Sequence, residues 1–237
     1  KLYQLFLQST GVTRNTRKIE NKELYFALKG DNFNGNTFAS KAIEQGAAYS
    51  MIDEAEFNTN NTCILVDDVL STLQQLGNYH LHQVKPKAII GITGSNGKTT
   101  TKELVHTVLA TTFKTHYTRG NLNNHIGIPL TLLDMKTDTE IAVIEMGANH
   151  QKEIESYCNY VEPTHGIITN CGKAHLEGFG GVEGIQKGKG ELYDYLKAHN
   201  GLVFVNGDDL TLSVMLRNRN MHDYISYGKE SHNKYNS

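Results

Sequence analysis

Short runs of contiguous apolar residues recur along the chain, separated by stretches in which apolar positions return every three or four residues. The first pattern reads as buried strands and the second as amphipathic helices. Near the start, Leu2, Leu5 and Phe6 fit one side of a predicted helix, and a turn follows through Ser9-Thr10-Gly11. Residues 23–28 predict a buried strand ending at Lys29-Gly30-Asp31, followed by a loop at Phe33-Asn34-Gly35-Asn36. A helical stretch over 39–46, strands at 48–52 and 63–66, and a helix from Val69 to about His82 complete a small α/β unit.

Val84-Lys85-Pro86-Lys87 is the expected linker, because Pro86 restricts the residue before it and a β-branched strand starts two residues later. Beyond it, strands are predicted at 88–92, 141–145, 166–170 and 202–205, with one more at 225–228. Helices are predicted from Lys98, with Leu104, Val105, Val108 and Leu109 on the apolar face, and over 182–196 and 210–216. Alternating strand and helix predict an α/β fold: a small N-terminal α/β domain over residues 1–84, then a P-loop mononucleotide-binding domain over 85–237 with a mostly parallel sheet.

Composition narrows the class. With 237 residues, 38 % hydrophobic and 20 % charged, the chain has enough apolar material for a sizeable core. A formal charge of -2 predicts no nucleic-acid partner. Cys63, Cys158 and Cys171 are widely spaced and form no disulfide framework, which points to a reducing compartment. No 18-residue apolar run and no signal-peptide layout occur, so no transmembrane segment and a cytoplasmic location are expected, with a monomer as the expected state.

The strand at 88–92 breaks into Thr93-Gly94-Ser95-Asn96-Gly97 before the helix from Lys98. Strand, glycine loop and helix form a phosphate cradle: backbone amides converge on anionic oxygens and the helix N-terminus adds partial positive charge. Gly94, Ser95, Asn96, Gly97, Lys98, Thr99 and Thr100 are the expected ATP-binding residues, with Lys98 on the β- and γ-phosphates and Thr99 on magnesium. The general motif has glycine where Ile92 stands, so its regular expression fails although Gly97-Lys98-Thr99 survives.

Glu145 ends a continuous apolar strand, where a carboxylate can face a ligand crevice and bind magnesium, whereas in the core it would be costly. The loop 117–129, with Asn121, Asn123, Asn124 and His125, suits either a ligand or an Asn-rich turn. His175 follows another strand and reads equally as surface or ligand. Arg17 and Lys29 could hold phosphates or be exposed charges, Asp208 and Asp209 favour a turn over a ligand site, and Lys189 and Glu191 read as solvated charges.

The string GITGSNGKTTTKE at 91–103 resembles the ATP loop of the Mur ligases, which form amide bonds at the expense of ATP in peptidoglycan precursor synthesis and share the displaced glycine. Further likenesses are TRGNLNNHIGIP at 118–129, EMGANH at 145–150, NCGKAHLEGFGGVEGIQKGKGELY at 170–193 and TRKIENKELYFALKGDNFNGNTF at 16–38. The FALKG, EMGANH, LEGFG and KGKGE phrases most resemble the family branch that joins D-alanyl-D-alanine to UDP-N-acetylmuramoyl-tripeptide.

The resemblance implies a uridine-nucleotide domain at the N-terminus, in which Thr16, Arg17, Lys29 and Gly30 receive the UDP end of the substrate. Asn121 and Asn124 would face the muramoyl peptide and nucleotide. It implies ATP and two magnesium ions, with Thr99 and Glu145 as ligands of one and His175 helping to hold the other. Lys189 falls where these ligases carry a carbamylated lysine that also binds metal, and Lys98, Glu145, His175 and Lys189 make up the implied catalytic set. The substrate carboxylate would take the γ-phosphoryl group as an acyl phosphate, which the amine of D-alanyl-D-alanine then displaces. Relatives continue into a third, ligase domain, so the expectation is a chain that lacks it and turns over little by itself. The nearest alternatives are a sister ligase adding lysine or diaminopimelate, a folate or polyamino-acid ligase, and a non-catalytic nucleotide-binding module.

Overall fold

The computed structural model describes residues 1–172 and 176–236, which fall into two compact units: residues 1–82 with 132–134, and residues 83–131 with 135–172 and 176–236. The first unit contains α1 (Leu2–Gln8), β1 (Val12–Thr13), β2 (Leu24–Phe26), the hairpin β3 (Lys29–Gly30) and β4 (Phe33–Asn34), α2 (Ala39–Glu44), β5 (Tyr49–Ile52), β6 (Cys63–Leu65) and most of α3 (Val69–Val84). Its main sheet has the order β1-β2-β5-β6 and every pairing is parallel. Tyr25, Ala27, Ala39, Ala42, Ala47, Ile52 and Cys63 form a core beneath α2. Asn36, fully buried, donates to Asp53 Oδ1 at 2.9 Å and accepts from Asp53 N at 3.0 Å, which ties the segment after β4 to the end of β5. The predicted loop at 33–36 is half hairpin, because Phe33 and Asn34 pair antiparallel with Gly30 and Lys29.

The second unit contains β7 (Ala88–Thr93), α4 (Lys98–Leu109), β8 (Thr115–Tyr117), most of α5 (Gly127–Leu133), β9 (Ile141–Glu145), α6 (Glu153–Val161), β10 (His165–Ile168), α7 (Leu176–Phe179), α8 (Val182–Ala198), β11 (Leu202–Asn206), α9 (Leu210–Asn218), β12 (Tyr224–Gly228) and β13 (Tyr235–Asn236). Its seven strands run β13-β12-β11-β10-β7-β9-β8, all parallel. Helices cover both faces: Val105 and Leu109 of α4 pack on Ile90, Ile92, Val143 and Ile167, while Leu192 of α8 approaches Gly91 and Gly166 from the other side. Burial on both faces is why β7 and β9 are continuously apolar, and each such side chain contributes about 1.5–3 kcal/mol.

The apolar face predicted for the helix from Lys98 needs correction. Leu104 and Val108 are 62 % and 68 % exposed, whereas Lys102 is fully buried beside Val105 and Leu109. Positions 102, 105 and 109 share one side of the helix; that side packs on the sheet through Val105 and Leu109, and the Lys102 ammonium buried with them lies 3.8 Å from the carboxylate that ends β9. The short edge strand β8 and helices α5 and α6 are additional to the predicted elements.

Asp208 and Asp209 adopt the turn reading. Asp208 accepts from Lys229 N, Glu230 N and Asn233 Nδ2. Asp209 caps α9 by accepting from Thr211 N at 2.8 Å and Leu212 N at 3.2 Å. An Asp209→Ala variant is expected to lose about 1 kcal/mol, seen as a melting midpoint lowered by roughly 3 °C in a calorimetric scan. Among the described residues no helix is long and apolar enough to cross a membrane.

Candidate active site at the sheet switch point

The chain passes from β7 to the β8–β9 side of the sheet and then returns to β10 on the other side of β7, so strand order reverses at β7. Ligands of open parallel sheets bind outside the strand C-termini at such a point. The loop after β7 occupies it. Gly94 has φ +141°, and a Cβ there would stand 2.0 Å from Thr169 Oγ1, so only glycine lets the loop pass this close to the end of β10. Thr169 Oγ1 and Asn170 Nδ2 donate to Asn96 O at 2.6 and 3.0 Å. Asn96 N donates to Asn170 Oδ1 at 3.1 Å, and buried Ser95 donates through N to Asn170 O and through Oγ to Gly172 O, each at 3.0 Å. The loop shape is thereby held from β10.

Gly97, at φ +77°, is the N-cap of α4 and brings no side-chain cap, so first-turn amides, including those of Thr99 and the exposed Thr100, are left as donors for an anion. Lys98 Nζ folds over the loop and donates to Gly94 O at 2.8 Å and Ser95 O at 3.2 Å. Burial lowers the Lys98 pKa while the Glu145 charge works against that shift.

Glu145, 1 % exposed, stands in register with Ile92 at the mouth of this loop. Its carboxylate accepts from Thr99 Oγ1 at 3.0 and 3.2 Å and from Asn123 Nδ2 at 2.7 Å, and Lys102 Nζ lies 3.8 Å away. Thr118 Oγ1 accepts from Glu145 N at 2.9 Å. Lys102 also stands 3.0 Å from Glu103 Oε1 and 5.5 Å from the Tyr117 ring centre. Its Nζ nonetheless has no well-formed hydrogen bond among the described residues, so its role toward Glu145 is mainly coulombic.

Lys189, 2 % exposed, donates from Nζ to Ala148 O at 2.9 Å and lies 4.9 Å from the Phe179 ring centre. Burial, reinforced by the Lys98 charge, brings its pKa down to about 8. It is not the solvated charge its composition predicts. Glu191 is likewise buried, which raises its pKa, although the backbone N–H groups of Lys152 and Glu155 oppose the shift. Both residues lie on α8 where it packs under the segment after Glu145.

His175 lies outside the described residues. Asn124 accepts through Oδ1 from Ile126 N and Gly127 N at the start of α5, and Asn121 is exposed. The side chain that reaches Glu145 from this loop is instead Asn123, which the sequence does not distinguish from its two neighbours. In the first unit, Thr16 and exposed Arg17 follow β1, and Lys29 and Gly30 follow β2, at the same edge of the parallel sheet. Lys29 Nζ pairs with Asp53 at 3.0 Å and Glu54 at 3.4 Å, which raises its pKa, so a phosphate there would compete with two carboxylates.

Oxygen donors from a hydroxyl and a buried carboxylate 3.0 Å apart suit magnesium. The Lys189 amine, buried against an aromatic ring and already partly disposed to lose its proton, suits addition of carbon dioxide. Sequence and structure comparisons identify proteins that this chain resembles. The Mur ligase middle domain matches residues 92–237, and the Mur ligase family catalytic domain matches residues 8–90. The UDP-N-acetylmuramoyl-tripeptide D-alanyl-D-alanine ligase of Bacillus subtilis is 41 % identical over 227 residues, covering 95 % of this chain and 48 % of that protein. Its Escherichia coli counterpart is 38 % identical over 198 residues, covering 84 % and 43 %. The crystal structure of MurF ligase from Thermotoga maritima in complex with ADP superposes with a TM-score of 0.84 at 30 % identity, covering 96 % of this chain and 52 % of that one. The chain thus spans about half the length of the curated relatives it matches.

Proposed function

The chain belongs to the Mur ligase family, and from that premise we propose that it serves the ATP-dependent joining of D-alanyl-D-alanine to UDP-N-acetylmuramoyl-tripeptide. The observation that supports this most is the meeting, at one switch point, of a glycine loop, Lys98, the Thr99–Glu145 pair and a buried Lys189. The substrate carboxylate attacks the γ-phosphorus of ATP, the bond from that phosphorus to the β,γ-bridging oxygen breaks, and ADP leaves. The amine of D-alanyl-D-alanine then attacks the acyl carbon, the bond from that carbon to the phosphate oxygen breaks, and the departing phosphate takes up the proton that the nitrogen loses. Lys98 exchanges its two loop carbonyls for phosphate oxygens and offsets their charge. Thr99 and Glu145 would hold one magnesium ion, and a carboxylated Lys189 would contribute to the second. Magnesium supplies further neutralisation of the transferring phosphoryl group. Thr16, Arg17, Lys29 and Gly30 take the uridine diphosphate, with Lys29 leaving Asp53 as it does so.

Lys189 becomes an oxygen ligand by adding carbon dioxide through its neutral amine and releasing one proton. With a pKa of about 8 the neutral form is roughly one in ten at pH 7. At fixed dissolved carbon dioxide, a ¹³C carbamate signal on Lys189 is therefore expected to grow as pH rises from 7 to 9 and to vanish in acid. The assignment of substrate is tested by calorimetric titration. UDP-N-acetylmuramoyl-tripeptide and magnesium ADP should each bind, with the tripeptide favoured over the dipeptide precursor. Preference for the dipeptide would point to a sister ligase, and absence of nucleotide binding would overturn the ligase reading.

A further inference from the structure

Helix α6 starts without a cap of its own. Its N-cap residue, Lys152, sits at φ +72° and makes no side-chain cap hydrogen bond. The cap comes from another helix: Glu191 of α8 accepts from Lys152 N at 2.6 Å through Oε1 and from Glu155 N at 3.0 Å through Oε2. A carboxylate in that position also meets the positive end of the α6 dipole. Glu191 stands two residues after Lys189 on the same helix. Lys189 in turn donates to Ala148 O, three residues beyond Glu145.

The segment between Glu145 and α6 is thus gripped by α8 at both ends. A third tie lies between them, where Gln151 Nε2 donates to Phe179 O at 3.0 Å. The packing is close: a Cβ on Gly188 would stand 2.5 Å from the Phe179 ring, which itself covers the Lys189 ammonium. Glu153 completes the hold by accepting from Asn149 N at 2.6 Å and His150 N at 2.8 Å. Nothing in this set allows α8 to slide along the segment without breaking the Glu191 bonds, and such a slide would carry Lys189 away from Ala148.

We infer that Glu191 is a positioning residue for Lys189: by capping α6 from α8 it fixes the register that sets the Lys189 amine beside the segment leaving Glu145. Its effect is exerted on the same Lys189 proposed to carry the carbamate, and so depends on that reading. Groups that orient a metal-binding side chain commonly change metal affinity by about 10- to 100-fold when removed.

The test compares wild type, Glu191→Ala and Glu191→Gln in the full 237-residue chain, using ¹³C bicarbonate for the carbamate signal and selectively labelled lysine for the Lys189 Cε resonance. Asp209→Ala serves as a control of lowered stability at a residue whose side chain bonds to the start of α9 and to neither Lys189 nor Glu191. In the folded protein, Glu191→Ala should reduce carbamate occupancy about tenfold and shift the Lys189 Cε resonance, with metal-free ADP affinity unchanged. Glu191→Gln, which keeps a single acceptor oxygen, should fall between Glu191→Ala and wild type and serves if Glu191→Ala does not fold. Wild-type occupancy and an unmoved Cε resonance in the variants would overturn the inference, as would an equal loss in Asp209→Ala. A wild type without carbamate would refute the carboxylation reading alone, and the Cε shift would then decide the role of Glu191.

Discussion

Lys98→Ala is expected to lower the affinity for magnesium ATP by at least ~100-fold, about 2.7 kcal/mol, with little loss of stability. Among the described residues the Lys98 ammonium bonds to Gly94 O and Ser95 O, carbonyls of its own loop, and the loop shape is held independently by Thr169 and Asn170. Removing the lysine therefore leaves the cradle standing but takes away the ammonium proposed to meet the β- and γ-phosphates. Lys98→Arg should not rescue binding, because the longer, planar fork does not fit the space that a single ammonium fills. Calorimetric titration with ATP and a melting scan on the same sample check both halves. Retained affinity, or collapse of the fold, would remove Lys98 from the role assigned to it.

Glu145→Ala is expected to cost about 3 kcal/mol of stability as well as magnesium-dependent nucleotide binding. The loss is structural because Glu145 and Lys102 are both almost fully buried, so alanine leaves an ammonium in the interior with only the Glu103 carboxylate nearby. Thr99 Oγ1 and Asn123 Nδ2 lose their acceptor at the same time. Glu145→Gln separates the two effects. It keeps an acceptor for Asn123 and most of the packing but carries no charge for a hard cation. The glutamine variant should lose less stability than the alanine one while its ADP affinity no longer rises with magnesium. Denaturant unfolding and ADP titration with and without magnesium distinguish these outcomes, and a glutamine variant with normal magnesium dependence would exclude Glu145 as a ligand.

Much of the framework can be read along the chain because its causes are local. Continuous apolar runs ending at Thr93, Glu145 and Asn206 can be buried only between two helical layers, so a parallel α/β sheet follows from the pattern alone. Gly94 and Gly97 before Lys98 announce the phosphate loop because their backbone angles are open to glycine and costly for other residues.

What the sequence withheld depends on groups far apart in the chain. Whether Asn121, Asn123 or Asn124 meets Glu145 is decided by how the loop after β8 closes onto β9, and only Asn123 lands within reach. Lys102 looks like an exposed helix charge until the sheet supplies Glu145 as its partner and turns Leu104 and Val108 outward. Lys189 and Glu191 look solvated until α8 packs beneath the start of α6. Residue order thus determined the strands, the helices and the glycine cradle, whereas which charges are buried and whom they face was settled by tertiary packing, because the energy of a buried charge depends on partners that local sequence does not specify.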